Sequence, residues 1–223
     1  MLQQQTYQNL PYLLSYPENF DPSNAYPLVI FLHGAGTRCN DIDVLKRNAC
    51  FCNLQKRQSD RGYIILAPLC SVHDWNQVMQ TLLQLIEETL SHPFVDKSRV
   101  YATGNSMGGY GTWELAAIRP EWFAAIMPIC GGGIGAFAAR IREIPIRTFH
   151  GLRDTVVDPI ESLQMAKAVN LLGGHAELIL YPELDHNCWD RAYTDEANYD
   201  WLLQFCKKDA HTSGTTLTGE QYG

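Results

Sequence analysis

Thr103-Gly104-Asn105-Ser106-Met107-Gly108-Gly109-Tyr110 is the stretch on which the reading of this chain turns. Before it, Ser98-Arg99-Val100-Tyr101-Ala102 has the β-branched and aromatic content of a short strand. After it, Gly111 to Ile118 has helical character and stops at Pro120. Gly104 to Gly108 therefore presents G-x-S-x-G at a sharp strand-to-helix turn, the setting in which that pattern carries chemical meaning. The turn forces Ser106 into a strained backbone conformation and lifts its hydroxyl clear of the sheet. Glycine is required two places to either side because a β-carbon there would strike the neighbouring strand or helix. A serine in this position becomes a nucleophile toward a carbonyl carbon once a base takes its proton.

Working outward, apolar runs alternate with helical stretches. Pro11 to Pro17 reads as a first, edge strand, and Leu28 to Leu32 as a strand buried on both faces, ending in His33-Gly34-Ala35-Gly36. A short helix is expected over Asp43 to Asn48, a strand over Gly62 to Pro68, and an amphipathic helix between Asn76 and Ser91. Beyond the serine turn, strands are expected over Phe123 to Cys130, Ile144 to Phe149 and His175 to Tyr181. Helices are expected over Ala136 to Ile141, from Pro159 to about Leu172, and from Tyr193 to Lys207. This alternation predicts one α/β domain over residues 1–208 with a mostly parallel central sheet flanked by helices. Residues 209–223 turn to Ser, Thr and Gly and are expected to form a polar, flexible tail. No insertion between strands is long enough for a large lid. Ligands of such sheets sit beyond the carboxyl ends of the strands, so the loops after strands are the ones to search.

The composition narrows the function classes. The 223 residues are 46% hydrophobic and 18% charged, with a formal net charge of -7 and no basic cluster, which disfavours a nucleic-acid partner. No apolar run approaches the ~18 residues of a membrane span. The N-terminus lacks the basic start and apolar core of a secretory signal. Seven cysteines, an odd number in a chain that needs no staples, fit free thiols in a reducing cytoplasm. Oligomeric state is not legible.

A serine hydroxyl needs a base of pKa near ~7 within hydrogen-bond reach, and histidine is the usual one. In chains built around such a serine turn, the acid follows the serine and the histidine comes last. Of seven histidines, His33 and His150 end strands before glycine, where the ring packs under the turn. His73, His92, His175 and His211 lie in loops, at element edges or in the tail. His186, in Leu184-Asp185-His186-Asn187-Cys188-Trp189, lies after the final strand and before the final helix. The acid that holds its imidazole is sought in Gly151-Leu152-Arg153-Asp154-Thr155-Val156-Val157-Asp158-Pro159. Asp154 lies just past the strand. Asp158 is already explained as the cap of a helix opening at Pro159, and Asp185 is too close in sequence to fold back onto Nδ1. Backbone N–H groups of Met107 and Ala35 are the expected oxyanion donors. Gly34, Trp75 and Trp189 are candidates for the substrate pocket, with core packing as the competing reading of both tryptophans.

Taken together, Pro27 to Arg38, Ala67-Pro68-Leu69-Cys70 with Trp75, Val95 to Leu115, Pro128 to Gly133, Ile144 to Val157 and Tyr181 to Trp189 resemble the bacterial carboxylesterase and peptidase group of the α/β-hydrolase superfamily. That group is related to phospholipase/carboxylesterase and polyhydroxybutyrate-depolymerase-like enzymes. The resemblance covers the chain from about Pro11 to Lys207. It implies an α/β-hydrolase fold and a triad of Ser106, Asp154 and His186, with Ala35 and Met107 as backbone donors. It also implies hydrolysis of carboxylic esters without metal or cofactor, and because no insertion offers a lipase-type lid, small soluble esters with short or aromatic acyl groups are the expected substrates. Thioester and peptide hydrolysis use the same triad and remain alternatives. A non-catalytic binding protein on this fold is the competing class, disfavoured because all three groups are present. Four positions depart from the group's pattern: Asn105 stands where leucine is frequent, Arg147 for tryptophan, Asp158 for proline and Cys188 for serine.

Overall fold

The computed structural model describes residues 1–207. The expected tail over 209–223 lies outside the described residues. Eight strands form one sheet: β1 (Leu2–Tyr7), β2 (Leu10–Ser15), β3 (Tyr26–Leu32), β4 (Ile64–Pro68), β5 (Val95–Asn105), β6 (Ala125–Ile129), β7 (Ile146–Gly151) and β8 (Ala176–Tyr181). The helices are α1 (Asp43–Lys46), α2 (Ala49–Arg61), α3 (Met79–Ser91), α4 (Met107–Ile118), α5 (Ala138–Ile141), α6 (Ile160–Leu171), α7 (Trp189–Thr194) and α8 (Glu196–Leu203). The strand order is β1-β2-β4-β3-β5-β6-β7-β8. β1 pairs antiparallel with β2 and β2 antiparallel with β4, while β4 through β8 run parallel across the remaining ladders.

The apolar runs read as doubly buried strands divide their side chains between two cores, as a period of two requires. In β3, Leu28, Ile30 and Leu32 join the core under α3, α4 and α6, whereas Val29 and Phe31 join the core under α2, α7 and α8. The chain passes from β3 outward to β4 and then returns to the other side of β3 to form β5. The crevice at that reversal, between the carboxyl ends of β3 and β5, is where a parallel sheet offers a ligand site.

Three expectations are corrected. The edge strand is β1 rather than the strand at Pro11; its Gln-rich sequence is mostly solvent-facing, and it lies on β2 in a plain hairpin. A 13-residue helix, α2, follows the short one, opened by the Asn48 side chain accepting from Phe51 N–H and closed by Gly62 at φ 64°. The closing helix is two helices, α7 and α8, because Asp195 takes an extended conformation and caps α8 through Ala197 N–H.

Candidate active site

Ser106 sits between β5 and α4 at φ 55° and ψ -118°, a conformation costly for a residue with a β-carbon. The surrounding packing holds it there. Ser106 N–H donates to Ile129 O at 2.9 Å, tying the turn to β6. A β-carbon on Gly104 would lie 2.4 Å from Gly108 O, and one on Gly108 would lie 1.8 Å from Leu32 O. The two glycines thus let α4, β5 and β3 approach to backbone contact, which is the steric role expected of them.

The second group arrives from the far edge of the sheet. After β8 the chain folds back over the end of β7: Leu152 N–H donates to Tyr181 O at 3.0 Å and Arg153 N–H to Leu184 O at 2.9 Å. Gly151 makes this possible, since a β-carbon there would stand 2.2 Å from Asp185 O. Cys188 is buried next to the Cys130 thiol at the end of β6, and α7 starts at the following residue. The loop so anchored brings His186 Nε2 to 2.9 Å from Ser106 Oγ.

Asp154, buried in the turn after β7, lies with its Oδ2 2.6 Å from His186 Nδ1. Its Oδ1 accepts from Val156 N–H at 2.8 Å and Val157 N–H at 2.9 Å. Burial alone would raise its pKa; the bonds from His186, Val157 and Val156, together with the His186 charge, outweigh that and hold the carboxyl below its ordinary value. Asp158 is elsewhere, its Oδ1 accepting from Ile160 N–H at 2.9 Å.

A second histidine also meets the acid. The ring of His150, buried at the end of β7, has Nε2 3.1 Å from Asp154 Oδ2 and Nδ1 2.7 Å from Ser162 Oγ, which donates to Gly131 O. The sequence placed this ring under the turn but carried no sign that it would share the carboxylate. Similarly, buried His33 links two loops: its Nε2 accepts from Cys70 N–H at 3.0 Å and its Nδ1 lies 2.8 Å from Gly34 O. Burial lowers its pKa to about 4, so the ring is neutral near pH ~7.

Met107 is the first residue of α4 and Ala35 the first of a 3-10 turn, so both carry N–H groups that a helix start leaves without an intrahelical acceptor. Ala35, Gly34, Asn105, Ser106, His186, Val156 and Trp189 share the lining of one cleft of about 420 Å³. The Trp189 ring stands edge-on to His186, with centroids 5.1 Å apart. Trp75 lies outside that cleft and borders a neighbouring one, whose lining it shares with Ala35 and Met107. It is only 1% exposed, its Nε1 donates to His33 O at 3.1 Å, and it is not among the residues lining the Ser106 cleft. It supports the loop after β3 from below.

Residues 42–202 match the profile of the Dienelactone hydrolase family. The chain belongs to that family. It is 28% identical over 162 residues to "Probable feruloyl esterase C" of Aspergillus terreus, a match covering 70% of this chain and 58% of that one. It is 26% identical over 211 residues to the protein of the same name from Aspergillus niger, covering 92% and 77%. Among solved structures, one described as a thermostable esterase superposes with a TM-score of 0.83 at 30% identity, covering 93% of this chain and 63% of that one. The chain therefore spans about three fifths of the length of the Aspergillus terreus protein and of the thermostable esterase.

Proposed function

We propose that this member of the Dienelactone hydrolase family is a serine carboxylic-ester hydrolase that works through an acyl-enzyme. The reading rests on one observation above all, the unbroken run of hydrogen bonds from Ser106 Oγ through His186 to Asp154 at a strained strand-to-helix turn. Ser106 Oγ attacks the ester carbon as His186 Nε2 takes its proton. Asp154 keeps the Nδ1 proton in place and stabilises the imidazolium as it forms. The N–H groups of Ala35 and Met107 receive the developing oxyanion. His186 returns the proton to the leaving alkoxide, the alcohol departs, and a water activated by the same imidazole releases the acid from Ser106.

Small soluble esters with short or aromatic acyl groups suit a cleft of about 420 Å³ walled by Trp189 and Val156. The names of the feruloyl esterase relatives point the same way. Peptide hydrolysis is the second reading, favoured by a 26% match to dipeptidyl-peptidase 5 of Porphyromonas gingivalis, which covers 86% of this chain and 35% of that one. A cytoplasmic location remains part of the proposal, supported by seven unpaired cysteines. The test is hydrolysis of p-nitrophenyl acetate and butyrate beside dipeptide p-nitroanilides. Turnover of the esters that disappears in Ser106→Ala supports the assignment. A peptide substrate turned over far faster than any ester transfers it to the peptidases.

A further inference from the structure

The second cleft, which Ala35 shares with the first, continues along α4 past Met107, Tyr110, Gly111 and Glu114. These four positions recur every three or four residues, so they lie on one face of the helix. Gly111 keeps that face low: a β-carbon there would lie 2.9 Å from Cδ1 of the buried Trp75 ring. Most charged groups of the lining are engaged. Arg38 donates through Nε to Ala35 O at 3.0 Å and through Nη1 to His73 O at 2.7 Å, and Asp74 Oδ1 accepts from Gln77 N–H at 3.2 Å. Glu114 is half-buried, and among the described residues its carboxyl has neither a hydrogen-bond nor an ion-pair partner. It is not one of the sealed, partnerless groups, which belong to Asp43, Asn105, Trp113 and Thr148, so its oxygens are open to the space it lines. Burial raises its pKa and the charge of Asp74 adds to the rise, so a donor to this carboxyl is favoured.

The direction of a bound ester decides which part of it meets Glu114. In the proposed reaction the carbonyl oxygen lies at the N–H groups of Ala35 and Met107, and the leaving oxygen lies at His186 Nε2 to receive its proton. His186 borders the cleft of Trp189 and Val156 and not the second one. The alcohol is thus directed into the first cleft, and the acyl chain runs the other way, over Met107 and along α4. Glu114 is seven residues beyond Met107, a rise of ~10 Å, and helical side chains lean back toward the N-terminus.

We propose that Glu114 is a specificity-determining residue that accepts a hydrogen bond from a hydroxyl at the far end of the acyl group. This rests on the ester-hydrolase reading above. The hydroxyl stands ~8 Å from the ester carbon, the span of a 4-hydroxyphenylpropenoyl group at ordinary bond lengths. A flat ring suits the low face at Gly111 beside the Tyr110 ring. A hydroxyl answers the carboxyl in either protonation state, since it both donates and accepts. An otherwise equal acyl group without that donor leaves the half-buried carboxyl unpaired, which is how a polar pocket rejects an analogue.

The experiment compares methyl 4-hydroxycinnamate with methyl 4-methoxycinnamate and methyl cinnamate, following the released acid by liquid chromatography, with p-nitrophenyl butyrate as the reference ester. The methyl ether removes the donor and keeps the oxygen; the parent ester removes both. The wild-type protein is expected to prefer the hydroxyl ester to each of the others by roughly tenfold in kcat/KM. In Glu114→Leu the preference is expected to fall to within about twofold of unity, and Glu114→Ala serves if the leucine variant does not fold. Glu114→Gln, which keeps an acceptor, is expected to retain part of it. Equal rates on the three cinnamates, a preference that survives in Glu114→Leu, or turnover of p-nitrophenyl butyrate with none of any cinnamate overturns the inference and leaves the hydrolase reading intact. Failure of a fluorophosphonate to label Ser106 in a protein that cleaves none of the four esters removes both.

Discussion

Asp154 accepts from His186 on one oxygen and from two backbone amides on the other, with His150 closing the remaining side. An asparagine cannot reproduce this pattern, because one oxygen becomes an NH₂ that faces a donor. Asp154→Asn is therefore expected to lower kcat/KM on a p-nitrophenyl ester by about 10⁴-fold, with the circular dichroism spectrum unchanged. Asp158→Asn, at an exposed cap that asparagine also fills, is expected to stay within about twofold of wild type. The reverse ranking would move the acid to Asp158. At this scale the sequence was informative about the three hydrogen-bonded groups, Ser106, His186 and Asp154, because each belongs to a strand-end motif of fixed local form. It was silent about the contact of His150 with Asp154, which depends on the tertiary course of the loop. It left Trp75 open for the same reason: a tryptophan after a strand can serve a pocket or a core, and Trp75 is buried with Nε1 bonded to His33 O while bordering the cleft it shares with Ala35 and Met107.

The turn carrying Ser106 is an element whose shape is set by backbone contact. Gly108→Ala would put a methyl group into Leu32 O, where neither partner is a side chain that can move aside. The expected loss is about 3 kcal/mol of unfolding free energy together with loss of esterase activity. Gly36→Ala has nothing within 4 Å of its new methyl group and is expected to change stability by less than about 0.5 kcal/mol. Urea unfolding of the two variants checks this, and equal midpoints would contradict the steric account of the turn. The alternation of strands and helices was legible because the buried strands are continuous apolar runs. β1 was not, since Gln3, Gln4 and Gln5 on a solvent-facing edge show no alternation. α2 was missed although its cap, Asn48, and its left-handed terminator, Gly62, are both helix signals; its buried face includes the polar Gln58, which breaks the apolar pattern. The break between α7 and α8 rests on a single cap at Asp195 within an otherwise continuous helical pattern.

Over the whole molecule, the ends of β3, β5, β7 and β8 must hold their loops together for the site to exist, and this makes stability depend on pH. The His33 ring that joins the β3 loop to Cys70 has its pKa lowered by burial from the ordinary 6.5 to about 4. The unfolded chain therefore binds a proton between these values that the folded one refuses, so stability is complete above about pH 6.5 and falls as the pH drops toward 4. Up to about 3 kcal/mol is expected to be lost across this window. Asp154, shifted downward, adds a further loss only below its unfolded value of 3.8. Urea midpoints at pH 7 and pH 4.5 measure the first effect, and His33→Gln is expected to reduce the difference between them. A difference as large in the variant would place the acid sensitivity in another group.

Every part of the proposed site serves one event, the acylation of Ser106 by an ester. The most direct measurement is incubation of the intact protein with a fluorophosphonate, followed by digestion and mass spectrometry of the modified peptide, with Ser106→Ala and His186→Ala in parallel. A single adduct on Ser106 that is absent from the first variant and slowed by orders of magnitude in the second is the predicted result. Ester turnover in a protein whose Ser106 stays unmodified would contradict it.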